Sequence, residues 1–226
     1  MTNHPETLPN DFSFKYTYYH WGPFLFHTSI TPGECQIVLE EGKKCRKKSN
    51  DYRDRLAGHL KEEYKIPDPA PIAGWLKKYF QAYASAFDKW INKPPHKVDF
   101  GLTSMWINYM RANDFNPPHS HIGDLSFVLY PHVPPEITKE NKDFTGTVCG
   151  PGGIAWTYGQ GSTFTISSVS RMPKTGDLFI FPGALEHWVY PFSSDVERIS
   201  VSGNVVMMNP DNTEQVKKHL AGAQIV

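Results

Sequence analysis

Three histidines and one arginine are the residues of this 226-residue chain best suited to chemistry. His119 and His121 are two residues apart in the segment Asn-Pro-Pro-His-Ser-His, just before an apolar run. In extended backbone, side chains two apart point to the same side, so both imidazoles can chelate one ion. Imidazole suits iron, copper, zinc and nickel. The pair therefore predicts a transition-metal site.

A third histidine follows the segment Gly-Asp-Leu-Phe-Ile-Phe-Pro, which begins at Gly176. The apolar part of this segment predicts a buried strand, and Pro182-Gly183 predicts a turn that leads to His187. At the mouth of a barrel of short strands, His187 can complete a set of three ligands on one face of the metal. Such a set leaves positions open for a cosubstrate and dioxygen.

Arg198 comes eleven residues after His187, and Ser200 lies two residues further on the same predicted strand. Both side chains can therefore face one interior. A buried guanidinium needs an anion, and its fork fits a carboxylate with two hydrogen bonds. The alternative is a salt bridge to Asp195 or Glu197.

The second half of the chain must position these residues, and it consists of short strand candidates separated by Gly- and Pro-containing turns. About eight short strands at this spacing indicate a sandwich or barrel of the jelly-roll type. The candidates are Leu102 to Met110, Leu125 to Tyr130, Thr145 to Cys149, Ile154 to Tyr158, Thr163 to Ser167, Asp177 to Phe181, Trp188 to Tyr190 and Ile199 to Met207.

The first 95 residues are predicted to be mostly helical. Thr31-Pro32 is typical of an N-cap with proline in the first turn, and Gly42 is expected to end that helix. A second helix is expected over Asp51 to Tyr64. A third runs from Ile72 to Ile91, where apolar residues recur at spacings of three and four, and it is expected to brace a sheet. Phe12 to Ile30 predicts one or two strands at a sheet edge.

The ordered set His-x-His, Gly-Asp-Leu-Phe-Ile-Phe-Pro, Glu-His and Glu-Arg-Ile-Ser resembles the 2-oxoglutarate- and iron(II)-dependent oxygenase superfamily, in its prolyl-hydroxylase-like branch. The resemblance covers roughly residues 102–208. It implies that His119, His121 and His187 hold Fe(II) as catalytic ligands and that Arg198 binds the remote carboxylate of 2-oxoglutarate. It further implies that Ser200, Tyr109 and Tyr130 line the 2-oxoglutarate pocket.

One position departs from the family pattern, because its metal-binding carboxylate stands where this chain has His121. Three arrangements remain open. His121 replaces the carboxylate, or Asp124 supplies it, or His119 and His187 bind iron with water in the third place. The first is favoured for its simple geometry, since Asp124 also has a structural role at a turn.

The resemblance implies an enzyme, a dioxygenase that uses Fe(II), 2-oxoglutarate and O₂ to hydroxylate an unactivated C–H bond. A prolyl or other peptidyl side chain is one candidate substrate, and a small metabolite is another. The alternative is a cupin-type dioxygenase or isomerase that does not use 2-oxoglutarate and does not require Arg198. A metal-free jelly-roll binding domain is a third class.

Composition narrows the partners and the fold class. Lys plus Arg and Asp plus Glu number 23 each, which gives no reason to expect nucleic acid or an anionic membrane as a partner. The absence of a long apolar run and a polar start predict a cytoplasmic protein. The expected fold is one domain over 1–226, mainly β with N-terminal helices (α+β). Residues 1–95 would support a double-stranded β-helix over 96–210, and the oligomeric state is left undetermined.

Overall fold

The computed structural model describes residues 22–208 and 224–225 of the chain. These residues form two antiparallel sheets and three α-helices. In chain order the elements are β1 (Phe26–Ser29), α1 (Pro32–Cys45), β2 (Glu63–Lys65), α2 (Ala70–Trp90), β3 (Asp99–Met110), β4 (Asn116–His119), β5 (Leu125–His132), α3 (Pro135–Asp143), β6 (Ile154–Thr157), β7 (Ser168–Arg171), β8 (Asp177–Pro182), β9 (Glu186–Val189), β10 (Arg198–Met208) and β11 (Gln224–Ile225).

The two sheets have the topology of a jelly roll, as the sequence predicts. The larger sheet runs β1-β8-β5-β10-β3-β11, with β2 also paired to β3, and the smaller runs β4-β9-β6-β7. Chain neighbours are therefore seldom sheet neighbours, and successive strands cross between the sheets. The predicted fold class, mainly β with a jelly-roll core and N-terminal helices, is confirmed.

Helix α2 braces the outer face of the larger sheet. Its apolar residues recur at helical spacing, so Ile72, Leu76 and Phe80 all lie fully buried on one side. Phe80 contacts Phe100 on β3 and Phe127 on β5, at ring-centroid distances of 5.4 and 5.7 Å. In the part of the chain that the structure describes, no helix has the length and apolar run needed to cross a membrane.

Helix α1 begins where the sequence predicts and ends later. The Thr31 side chain accepts a hydrogen bond from the Glu34 amide while Glu34 accepts one from the Thr31 amide, which makes a capping box. The prediction that Gly42 ends the helix is wrong, since the helix continues to Cys45. Gly42 instead allows a close approach to the sheet, because a Cβ there would collide with Ile107 and the Tyr109 hydroxyl.

The predicted helix over Asp51 to Tyr64 is also wrong. A short 3₁₀ turn at Lys48–Asn50 precedes this segment, which itself contains a second one at Arg53–Arg55 and then strand β2. Pairing between β2 and β3 satisfies the backbone of Glu63–Lys65, a contact that helical periodicity cannot reveal.

Other strand and helix boundaries differ from the predicted ones, because pairing between strands sets where short strands begin and end. Predicted strands at Thr145 to Cys149 and Thr163 to Ser167 are loops, and β7 starts just after the second of them. Strand β4 and helix α3 were not predicted, since both begin in proline-rich segments. Of the strands expected over Phe12 to Ile30, Phe26–Ser29 forms the edge strand β1, and the part before residue 22 lies outside the described residues.

Candidate active site

The structure brings the three sequence-predicted histidines together. One ligand atom from each of His119, His121 and His187 lies within 4.8 Å of the others, close enough for all three to hold one ion. His119 at the end of β4 stands directly opposite His187 on β9. His121 follows β4, where its amide donates a 2.8 Å hydrogen bond to the carbonyl of Gly183 in the β8–β9 turn.

Backbone carbonyls orient two of the imidazole rings. Nδ1 of His119 lies 2.7 Å from the Pro117 carbonyl, and Nδ1 of His187 lies 2.9 Å from the Leu185 carbonyl. Because a carbonyl only accepts hydrogen bonds, each Nδ1 carries the proton and donates it. The lone pair of each Nε2 is thereby left available to a metal, which is the usual arrangement of a ligating histidine.

Burial favours the neutral form of His121 and His187. It lowers the pKa of His187 to about 3 and that of His121 to about 4, and the neighbouring His119 adds to both effects. Burial acts in this direction because a low-dielectric site disfavours the charged imidazolium. Two of the three rings therefore need no deprotonation before they bind a metal at neutral pH.

Asp124, the alternative third ligand, lies apart from this cluster. Its side chain is exposed, and its carboxylate accepts a 2.7 Å hydrogen bond from the Met207 amide. The group of ligand atoms found among the described residues contains the three histidines and not Asp124. The arrangement with His121 as third ligand is thus the one that the geometry favours.

Arg198 is a buried cation without an anion. Only 2% of it is exposed, Nη1 donates to the Gly152 carbonyl at 2.7 Å, and Nε has no partner. Within the described residues no carboxylate lies at ion-pair distance from it. The alternative of a salt bridge to Glu197 is wrong, because Glu197 pairs with Arg46 and Arg111.

Tyr130 and Ser200 stand beside Arg198 as expected. The Tyr130 hydroxyl is buried without a partner, and the Arg198 guanidinium lies 5.4 Å from the centre of its ring. Burial raises the pKa of Tyr130 to about 12, so the hydroxyl keeps its proton and can donate it. The Ser200 hydroxyl accepts a 3.2 Å hydrogen bond from the side-chain amide of Asn108. Arg198 and Tyr130, each with an unused donor, therefore line the same cavity.

One cavity of about 220 Å³ connects these two groups of residues. Its lining includes His119, His121 and His187 together with Arg198, Tyr130 and Ser200. An anion at Arg198 and an ion at the histidines would thus share one enclosed space between the two sheets. These residues suit a small dicarboxylate. Arg198 offers hydrogen-bond donors for one carboxylate, and the histidines would hold a metal that binds the other end.

Tyr109 lies outside this cavity. It is buried on the opposite face of β3, where its ring lies under the Arg46 guanidinium at 4.1 Å and contacts Tyr64. It is absent from the cavity lining, whereas its neighbours Asn108 and Met110 are present. The structure therefore does not bring Tyr109 to the cavity, because strand alternation turns its side chain toward α1.

Several polar residues that line the cavity were not predicted from the sequence. Among them are Glu63, Asn108 and Asn116, and Glu63 comes from the segment predicted as a helix. No spacing in the sequence links Glu63 to the histidines. The pairing of β2 with β3, which sets Glu63 opposite Asn108, brings it there.

These features define a jelly roll with a three-histidine metal centre and a buried anion site. Residues 104–204 match a family model described as "Putative 2OG-Fe(II) oxygenase". This region, somewhat under half of the chain, contains every histidine of the cluster as well as Tyr130, Arg198 and Ser200. The matched region is therefore similar to the 2-oxoglutarate- and iron(II)-dependent oxygenases, the superfamily that the sequence resembles. Iron(II) and 2-oxoglutarate are the metal and cosubstrate of that superfamily, and the two groups of cavity residues fit them.

Solved structures share the fold at low identity, and no curated protein sequence matches the chain. The epimerase SnoN from nogalamycin biosynthesis is 13% identical with a TM-score of 0.51, over 82% of this chain and 78% of its own. A prolyl-4-hydroxylase from Pseudomonas putida is 13% identical with a TM-score of 0.49, over 82% and 93%. HygX from Streptomyces hygroscopicus, with nickel and 2-oxoglutarate bound, is 10% identical with a TM-score of 0.48, over 80% and 81%.

Proposed function

We propose that this protein is a 2-oxoglutarate- and iron(II)-dependent dioxygenase that hydroxylates an unactivated C–H bond of a small molecule or a peptide. His119, His121 and His187 hold the iron, and Arg198, Tyr130 and Ser200 hold the far carboxylate of 2-oxoglutarate. When bound, iron(II) with 2-oxoglutarate and dioxygen supplies the oxidising power that such a bond requires.

The observation that carries this proposal is the unpaired Arg198. A buried cation without a counter-ion is costly, and a charged group left unpaired loses several kcal/mol relative to water. Arg198 nonetheless has an unpartnered Nε, and its guanidinium lies 5.4 Å from the centre of the Tyr130 ring, whose hydroxyl is also unpartnered. A carboxylate placed between them would satisfy both and neutralise the guanidinium.

The residues of the chain orient and enclose the reactants. The carbonyls of Pro117 and Leu185 fix two histidine rings, so the ligand geometry is set before the metal binds. Phe181 packs against His187 at a centroid distance of 4.8 Å. This apolar neighbour keeps water from that side of the cavity and preserves the neutral state of the ring.

The cupin alternative has no use for the anion site. A cupin-type metal centre explains the three histidines equally well, but it leaves Arg198 and Tyr130 without a role. The two functions therefore differ in whether a dicarboxylate binds at Arg198 in the presence of metal.

The test is an anaerobic titration of the iron(II)-loaded protein with 2-oxoglutarate, followed by visible absorbance. We expect a weak charge-transfer band that saturates, because the keto acid chelates the iron. Arg198→Ala should weaken the affinity for 2-oxoglutarate by about tenfold or more, since it removes a charge-assisted pair, while the iron content is unchanged. Arg171→Ala, at an exposed arginine of β7, is the matched control.

Each other outcome has a defined meaning. Bound iron without any band would favour the cupin alternative and contradict the proposal. A band with equal affinity in Arg198→Ala and Arg171→Ala would contradict the role of Arg198 alone.

A further inference from the structure

One wall of the cavity consists of hydrogen-bond acceptors that have no donors. Oε2 of Glu63, Oδ1 of Asn108 and Oδ1 of Asn116 are all buried without a partner, and all three residues line the cavity that contains the histidines. We call these three residues the acceptor wall. Buried acceptors are normally paired, so three unpaired ones in a single cavity call for a ligand with donors.

The orientation of these oxygens is fixed by the protein. Nδ2 of Asn108 donates to the Ser200 hydroxyl at 3.2 Å, which points Oδ1 the other way. Glu63 is 1% exposed and faces Asn108 directly across the β2–β3 pair. Oε1 of Glu63 and Oδ1 of Asn116 converge on Gly58, since a Cβ at that glycine would stand 2.7 and 2.6 Å from them.

Glu63 is separate from the anion site and from the metal ligands. Asn108 lies between Glu63 and Ser200 in the sheet, so Glu63 and Ser200 stand two strand spacings apart, roughly 10 Å. Glu63 is also outside the set of ligand atoms formed by the three histidines. The Glu63 end of the acceptor wall therefore lies away from the place that 2-oxoglutarate at Arg198 would occupy.

No cation of the described chain neutralises Glu63. Arg53 is bound to the carboxylate of Asp51 at 2.6 Å, and the Arg55 side chain at the rim is 72% exposed. Burial raises the pKa of Glu63 to about 7, with Arg53 opposing this shift and Asp114 and Asp51 adding to it. A carboxyl in this position gains most from a ligand that brings its own positive charge.

We infer that the acceptor wall is the substrate-recognition site, and that Glu63 binds a protonated amine or guanidinium group of the substrate. This inference rests on the proposed function and adds the chemical class of the substrate. An ammonium or guanidinium carries several N–H donors and a charge, and so matches three acceptors of which one is a carboxylate. Such a group occurs on free amines and amino acids and on lysine or arginine side chains of peptides.

The test measures binding of cationic probes to the anaerobic, iron(II)-loaded protein in the presence of 2-oxoglutarate. n-Butylammonium and n-butylguanidinium are compared with the neutral n-butyramide by ligand-observed magnetic resonance. Free lysine and arginine are then compared with their N-acetyl methylamides, which separates a metabolite source from a peptide source. We expect the cations to bind and the neutral amide to bind at least about tenfold more weakly.

Two variants locate the probe. Glu63→Gln keeps the shape and removes the charge, and should weaken cation binding by about tenfold or more, whereas Glu136→Gln at an exposed site on α3 should not. Gly58→Ala places a methyl group against the oxygens of Glu63 and Asn116 and should also weaken the cations.

The 2-oxoglutarate absorption band is recorded on every sample. This inference is overturned if the band is normal but the cations fail to bind, bind no better than the amide, or bind equally to Glu63→Gln and Glu136→Gln. In each of these cases the proposed function remains intact. Loss of the band in the unmodified protein overturns the proposed function, and the inference with it.

Discussion

At the scale of single residues, the candidate metal centre consists of neutral donors. Three imidazoles bring no negative charge to an ion, in contrast to a set that includes a carboxylate, so charge compensation must come from the ligands that the ion binds. If 2-oxoglutarate binds as proposed, it would supply two carboxylates, one for the metal end and one for Arg198. The buried Arg198 and the three histidines would then be parts of one charge balance.

His187 is the ligand whose loss should have the largest effect on the metal. It is 6% exposed, and its ring centroid lies 4.3 Å from that of His119 and 5.0 Å from that of His121. His187→Ala leaves two ligands, and we expect the bound iron(II) to fall from one equivalent to near zero at micromolar metal. His132→Ala, at an exposed histidine of β5, is the control. Stoichiometric iron in His187→Ala, measured by metal analysis after gel filtration, would falsify the three-histidine site.

At the scale of elements, the contact between α1, α2 and the larger sheet holds the scaffold behind the site. Helix α1 lies over Ile107 and Tyr109 of β3, the same strand that presents Asn108 and Met110 to the cavity. Close packing on one face of β3 thus fixes the position of the residues on its other face.

Two helical glycines provide a matched pair for testing this packing. Replacing a glycine by alanine inside a helix normally stabilises it by about 0.5–1 kcal/mol. We expect this gain for Gly74→Ala in α2, where a Cβ meets nothing within 4 Å. Gly42→Ala in α1 should instead lower the free energy of unfolding by about 1–3 kcal/mol, because the new methyl overpacks Ile107 and Tyr109. Denaturant unfolding measures the change in the free energy of unfolding for both variants. Changes of the same sign would contradict the close packing of α1.

Glu34 links the two helices and makes their contact sensitive to acid. Burial alone would raise its pKa, but hydrogen bonds from Lys78, Thr31 and Tyr79 outweigh this effect and lower the pKa to about 2. A lowered pKa in the folded state means that the stabilisation is complete above the ordinary value of 4.5 and is lost as the pH falls toward 2.

We therefore expect Glu34→Gln to lower the unfolding temperature at pH 7, and expect the difference from the unmodified protein to shrink between about pH 5 and pH 2. Thermal unfolding of both proteins across this pH range measures the difference in unfolding temperature. Glu40→Gln, at an exposed position of the same helix, should differ little at any pH. A difference for Glu34→Gln that is constant with pH would show that its charge is not involved.

At the scale of the whole molecule, the cavity joins the two sheets. The smaller sheet contributes His119 and His187, and the larger contributes Tyr130, Arg198 and Ser200. Metal and 2-oxoglutarate bound in the cavity would therefore connect the sheets through the ligand, and would stabilise the folded chain because they bind only that state.

This connection predicts that the thermal effects of the two ligands depend on each other. Under anaerobic conditions, 2-oxoglutarate should raise the unfolding temperature clearly when iron(II) is present and little when a chelator has removed it. A ligand at a hundredfold excess over its dissociation constant stabilises by about 2.7 kcal/mol. Equal shifts with and without metal, measured by differential scanning fluorimetry, would place 2-oxoglutarate elsewhere than across both sheets.

The sequence by itself determined the class of the fold and which residues could form a metal and anion site. The spacing of His119, His121 and His187, the separation of Arg198 from His187, and the run of short strands are local features, and each survives in the structure. Helix α2 was also readable, because its apolar stripe repeats over five turns. Such patterns depend only on residues that are close together in the chain.

Only the tertiary structure decided which of the candidates meet. Tyr109 and Tyr130 are both strand tyrosines in the sequence, yet the alternation of β3 turns Tyr109 toward α1 while Tyr130 faces the cavity. Glu63 reaches the cavity because β2 pairs with β3, a contact between residues more than forty positions apart. Pairing of distant strands selects the face of every residue and the ends of short elements, and no local pattern contains that information.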